Sequence, residues 1–256
     1  MKSSIRITVL LALLALVALP VALAGDRMKP RQQATSHLKV AQSFYMAGRY
    51  GEALSTVDKA IKEDSSYVPA HQLRGQILVS LDKLDDAIKE FNRSLQLDPA
   101  YTESRNWKGF ALVQLNRFDE AMAEYQKALE DLTYPTPEVI HLNIGKLQRL
   151  GGKYDEAIAS LRKSVSLNPS FASGYYELGQ TYEKVGKDSE ALKAYQDALV
   201  GMEGSPELNL RLGLALAKSG NGPKAKEHFE KVIKLAPDGP EAVQARDEIR
   251  KLQPAS

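Results

Sequence analysis

Six short stretches set the reading of this chain: GRYGEAL (48–54), DKLDDAI (82–88), NRFDEAM (116–122), GKYDEAI (152–158), GKDSEAL (186–192) and GNGPKAK (220–226). Aligned, they place alanine at 53, 87, 121, 157, 191 and 225, at intervals of 34, 34, 36, 34 and 34 residues. A fixed period of this length means that one supersecondary unit is copied along the chain, each copy completing its core against the next. Twelve residues before each alanine stands another small residue: Ala41, Gly75, Gly109, Gly145, Gly179 and Gly213. Glycine inside a helix costs about 1 kcal/mol relative to alanine, so five at one phase need a packing reason. The spacing predicts two helices per unit that cross where both faces lack bulk. Seven residues beyond each alanine lie Ala60, Ser94, Ala128, Ser164, Ala198 and Val232, suited to contact with the following unit. Gly48, Asp82, Asn116, Gly152, Gly186 and Gly220 fall between the helices. These residue types accept the left-handed conformation that ends a helix. Pro99, Pro169 and Pro237 are placed to end three of the second helices.

This helix-turn-helix period resembles the tetratricopeptide repeat family over residues 34–239. The resemblance implies an all-α, right-handed superhelical solenoid of six repeats, at 34–67, 68–101, 102–137, 138–171, 172–205 and 206–239. The stretch PEAVQARDEIRKL (240–252) looks like the capping helix, within a terminal segment that runs to residue 256. In that helix Val243, Ile249 and Leu252 are expected inward, with Glu241, Asp247, Arg250 and Lys251 facing water. The 36-residue step falls in EDLTYPTPEVIHLN (130–143). Pro135 and Pro137 are expected to stop the helix after Thr133 and to leave 134–137 as a stiff extended turn.

Of 256 residues, 34 are Lys or Arg and 32 are Asp or Glu, for a formal charge of +2. Lys2 and Arg6 are the only charges in the first 24 residues, so the remainder is balanced. A neutral body offers nothing to nucleic acid or to an anionic lipid surface, both of which bind through a basic excess. The chain has no cysteine, which excludes disulfides, thiol catalysis and a lipid-modified N-terminal cysteine.

The first residues read as an export signal. Lys2 and Arg6 precede an apolar run over 7–19, Pro20 interrupts it, and Ala22-Leu23-Ala24 supplies small residues for cleavage between Ala24 and Gly25. On this reading 1–24 is a signal peptide, 25–33 a linker, and the body is periplasmic. The alternative is an N-terminal anchor, since 7–24 is at the short end for a bilayer span; peripheral or N-terminal membrane association stays open.

Chemistry-bearing motifs are missing. There is no G-x-S-x-G, no phosphate loop and no H-E-x-x-H. His37, His71 and His141 share one repeat position, and His228 stands apart. Zinc needs three or four convergent ligands, so the imidazoles are read as packing groups. No enzyme activity, cofactor or metal is expected.

In tetratricopeptide proteins the inner surface is built from first helices at repeat positions 2, 5, 9, 12 and 13. The resemblance therefore implies a protein-binding groove lined by Leu38, Gln42, Tyr45, Met46, Gln76, Val79, Asn106, Phe110, Val113, Leu142, Lys146, Arg149 and Tyr176. Further along, the same positions hold Gln180, Glu183, Leu210 and Leu214. The front of this set is aromatic, aliphatic and amide-bearing, a chemistry for apolar or amphipathic peptide segments. Members that grip acidic chaperone C-termini carry Lys and Asn at set positions; here those places read Leu38, Gln42, Leu73, Glu103 and Trp107, so that clamp is absent.

Within the family, repeat count, Tyr134-Pro135 and Asn143-Ile144-Gly145 are similar to the type IV pilus biogenesis and stability proteins, pilotins that help an outer-membrane secretin assemble. Those proteins typically carry a lipidated cysteine where Gly25 stands. The resemblance implies a scaffold whose protein partner is a secretin or a pilus assembly subunit. A general periplasmic scaffold for polysaccharide export or cell-wall complexes is the other reading.

Overall fold

The computed structural model describes residues 29–252, so the expected cleavage point at Ala24 and Gly25 lies outside the described residues. Those residues form thirteen helices and no strand: α1 (Pro30–Met46), α2 (Tyr50–Glu63), α3 (Val68–Ser80), α4 (Leu84–Leu97), α5 (Thr102–Gln114), α6 (Phe118–Ala128), α7 (Pro137–Leu150), α8 (Tyr154–Leu167), α9 (Ala172–Lys184), α10 (Asp188–Met202), α11 (Pro206–Lys218), α12 (Gly222–Leu235) and α13 (Pro240–Lys251). The chain divides after Leu97 into two compact units, α1–α4 and α5–α13. Within each, the helices pair as hairpins, and each second helix also packs on the next first helix. First helices lie beside one another as well, α1 by α3, α5 by α7, α7 by α9, and α11 by α13.

The six hairpin turns rest on the residues the sequence marks. Gly48, Gly152, Gly186 and Gly220 have φ between 71° and 82°, and Asp82 and Asn116 both have φ 58°. The repeated small residues are all buried, with Ala53, Ala87, Ala121, Ala157 and Ala225 fully so.

The helical glycines make room for a different neighbour from the one expected. A Cβ built on Gly75 would stand 2.4 Å from the Phe91 ring; on Gly109, 2.5 Å from Tyr125; on Gly179, 2.5 Å from Tyr195; and on Gly213, 2.5 Å from Phe229. At Gly145 it would meet Leu161 at 2.6 Å and the Ala157 carbonyl at 3.3 Å. Each glycine is thus a seat for the large side chain sixteen residues on, not primarily for the alanine twelve residues on. The first repeat pairs the larger Ala41 with the smaller Val57 at the same two positions, both fully buried. A larger residue at one position is thus offset by a smaller one at the other, as dense packing requires.

Two expectations are corrected. In α13 the inward residues are Ala242 and Ala245, whereas Val243 is 56% exposed and Leu252 36% exposed; Ile249 alone of the expected three rests on the core. At the 36-residue step α6 ends at Ala128 rather than after Thr133. The Asp131 carboxylate then accepts from the Thr133 N–H at 3.0 Å and hydroxyl at 2.7 Å, forming a tight turn. Pro137 opens α7, because proline lacks only a donor that the first helical turn leaves unused.

Candidate functional site

The exposed sides of the first helices carry the candidate residues, and each unit is described by itself. In the first unit Gln42 is exposed and Met46 is 87% exposed. Tyr45 is half-buried: the Ser80 hydroxyl donates to its phenol oxygen at 3.4 Å, and its ring centroid lies 5.8 Å from that of Tyr50. Gln76 and Val79 are half-buried beside it. Leu38 is not part of this surface. It is buried in the core with Ala34, Ala41, Val57 and Leu73. What remains pairs a hydrogen-bonded tyrosine with a freely exposed methionine.

In the second unit Phe110 and Val113 are half-buried on α5, with Phe110 edge-on to Trp107 at 5.7 Å and 73°. Lys146 and Arg149 reach from α7 to Glu177 on α9, at 3.4 Å and 2.7 Å. Asn106, Leu142 and Tyr176 are all buried, so these three too are removed from the open surface. Leu142 and Tyr176 belong to the hydrophobic core. Asn106 accepts a hydrogen bond from the Asn143 amide at 2.9 Å.

Tyr134 lies within the longer step and is anchored to α5. Its hydroxyl donates to Glu103 Oε2 at 2.6 Å, while Trp107 Nε1–H donates to Glu103 Oε1 at 2.8 Å. Asn106 also faces the Tyr134 phenol, whose pKa burial and the Glu103 carboxylate push up to about 12. Tyr134 and Asn143, two of the residues that carried the pilus resemblance, therefore join one network that ties α5 to α7 and holds the indole of Trp107. Sequence reading missed Glu103 and Trp107 as members of this site. It also missed a pattern at spacing 28: Arg149 pairs with Glu177, and Glu183 pairs with Arg211 at 3.1 Å, the same two repeat positions with charges exchanged.

Two of the histidines are hydrogen-bonded within the fold. His71 is buried with Nδ1 2.8 Å from Glu90 and Nε2 3.1 Å from the Ser65 carbonyl. His228 Nδ1 lies 3.0 Å from Asn209 Oδ1. Burial and Lys163 lower the pKa of His141. Among the described residues no group of three or more histidine, cysteine, aspartate or glutamate side chains could hold a metal ion, and no helix is long and apolar enough to cross a membrane.

Four tetratricopeptide-repeat family models match the chain, at 73–134, 145–186, 175–209 and 206–238, together more than half of it. The chain is a tetratricopeptide repeat protein. The crystal structure of PilW, a widely conserved type IV pilus biogenesis factor, is similar at TM-score 0.76 with 27% identity, over 84% of this chain and 99% of PilW. Pseudomonas aeruginosa PilF is similar at TM-score 0.76 with 19% identity, over 86% of this chain and all of PilF, a likeness of fold. The cytochrome c-type biogenesis protein CycH of Bradyrhizobium diazoefficiens is 26% identical over 96 residues, or 36% of this chain; the match spans about a quarter of that relative's length. Tetratricopeptide solenoids of this kind act as protein-interaction scaffolds, and this one has the exposed first-helix faces such a role needs.

Proposed function

We propose that this protein is an exported, non-catalytic assembly factor of a type IV pilus or secretin-type envelope machine, holding an apolar or amphipathic segment of its partner on the first-helix faces. The likeness to PilW carries the reading, since it extends over 84% of this chain and 99% of PilW at 27% identity. The site chemistry supports it. In the first unit Tyr45 and Met46 offer apolar anchors and Gln42 and Gln76 offer amide groups for a partner's backbone; in the second, Phe110 and Val113 offer apolar anchors of their own. Export rests on the signal-like first 24 residues and places the work in the periplasm. With glycine at position 25, outer-membrane delivery by a lipid on this chain is not part of the proposal.

The test is a heat-resistant gel assay for secretin multimers in cells lacking the protein. Loss of multimers, restored by the native chain but not by Tyr45→Ala/Phe110→Glu, supports the proposal. Normal multimers in the deleted cells would overturn the pilus role and leave a general envelope scaffold.

A further inference from the structure

We propose that a hollow between α8 and α10 is a second protein-binding subsite. It takes an aromatic side chain of a partner whose neighbouring residue is acidic, with Arg162 receiving the carboxylate. The hollow, of about 270 Å³, has buried Leu178 and Tyr182 of α9 and Ala194 of α10 as its floor, and half-buried Tyr175 as a wall. It is separate from the first-helix surface described above, because Tyr176, Gln180 and Glu183 occupy another side of α9. The inference therefore does not depend on that surface.

Comparison between the repeats accounts for the hollow. Ala194 stands at the repeat position of Glu90, Glu124, Ser160 and His228. Glu90 is held by His71 and Arg74, and Glu124 by Arg105 and Lys108. Ser160 donates to Gln148 at 2.7 Å, and His228 meets Asn209 at 3.0 Å. In the fifth repeat the residues matching His71, Arg74 and Glu90 are Tyr175, Leu178 and Ala194. An apolar group thus replaces a charged cluster, and alanine leaves the volume of the longer side chain open. An apolar cavity of about 150 Å³ already accepts a benzene ring. The two tyrosine rings suit an aromatic guest, edge-on or offset.

The charges around the hollow set the sign of the guest's neighbour. Lys193 and Asp197 pair with each other at 3.3 Å. The pKa of Glu190 is lowered first by the Ser189 hydroxyl, 2.8 Å away, and among cations by Lys187 before Arg162. Arg162 donates through Nε to the Tyr182 hydroxyl oxygen at 2.9 Å, with its guanidinium 5.8 Å from the centre of that ring. It makes no ion pair among the described residues, so its terminal N–H groups are left for a carboxylate. The acidic neighbour must lie toward α8, since Glu190 on α10 would repel it.

The probes are the capped dipeptides acetyl-Glu-Phe-amide and acetyl-Phe-Glu-amide, each compared with its glutamine analogue. They are titrated into the full chain with the methyl NMR signals of Leu178 and Ala194 as the readout. Saturable shifts are expected, with at least one acidic peptide binding about fourfold tighter than its analogue, as one ion pair at an exposed arginine gives. Arg162→Gln changes an exposed side chain and should erase that difference. Ala194→Glu, which restores the glutamate of the second and third repeats, should abolish binding of all four peptides. No methyl response in the native chain, equal binding within both pairs, or undiminished binding by Ala194→Glu would overturn the proposal. The surface of Tyr45 and Phe110 is tested by secretin assembly in cells, so either reading can fail alone.

Discussion

Alanine in place of a helical glycine normally stabilises a helix, by about 1 kcal/mol. In this protein Gly75→Ala should do the opposite. Its new Cβ would stand 2.4, 2.7 and 2.8 Å from three carbons of the Phe91 ring. Carbon atoms settle at about 3.5–4.0 Å, so the ring would have to retreat by about 1 Å. Phe91 is fully buried, and an interior at crystal density has no space to receive it. Overpacking of this kind costs about 1–3 kcal/mol. Set against the helix gain, the net loss is about 1 kcal/mol, opposite in sign to the propensity effect. The decisive variant is Gly75→Ala/Phe91→Val, which copies the Ala41 and Val57 of the first repeat. Phe91→Val alone should lose about 2–3 kcal/mol to the void it opens, a little less than full truncation to alanine. Together the two changes should cost about 1–2 kcal/mol less than their sum, because each removes the other's fault. Urea unfolding followed by helical circular dichroism reads all four proteins. Strict additivity, with Gly75→Ala at or above the native stability, would show that the ring does not depend on the missing Cβ.

The remaining expectations use other parts of the molecule. Glu177→Ala strands Arg149, whose charged hydrogen bond is shielded from solvent, and should lose about 2 kcal/mol; adding Arg149→Leu should recover part of it in the same urea titration. Gly152→Ala at φ 73° meets no neighbouring atom, so backbone strain alone should cost about 1 kcal/mol, whereas Gly51→Ala inside α2 should raise the thermal midpoint. Burial pushes the Glu90 carboxyl up, but the His71 hydrogen bond and the Arg74 charge outweigh it and leave its pKa below 4.5. A depressed carboxylate stabilises above its unfolded pKa, so protection of α3 and α4 in hydrogen exchange should fall as pH drops below about 4.5 and should fall much less in Glu90→Gln. Tyr134→Phe removes one of the two donors to Glu103 and should shift the emission of Trp107, the sole tryptophan, while costing about 1 kcal/mol; an unchanged spectrum would disconnect the longer step from the indole.

What the sequence showed and what it hid have separate physical causes. A position copied six times announces itself, so the turn residues and the small crossing residues were legible, and all six turn residues have positive φ as read. The partner of each glycine was hidden, because Phe91, Tyr125, Leu161, Tyr195 and Phe229 vary in type and have in common only that they are large and apolar-bodied. The capping helix misled for a related reason. Its inward contacts are the alanines at 242 and 245, and a hydrophobic pattern weights Val243 and Leu252 above them. Leu38, Asn106, Leu142 and Tyr176 share the fifth repeat position, where depth is set by the neighbouring helix and not by helical phase. Tyr134 needed a partner 31 residues earlier, which no local pattern supplies.

Copying also raises a difficulty that the differences between repeats resolve. Hairpins of equal length and similar core could stack in more than one order or slip by a repeat. Between the fourth and fifth repeats the inner pair runs Arg149 to Glu177; between the fifth and sixth it runs Glu183 to Arg211. A slip that set Arg149 against Arg211 would put like charges together where each now meets a glutamate. Alternating the sign thus fixes neighbour order without altering the hairpin, at positions where the apolar core is too uniform to specify it.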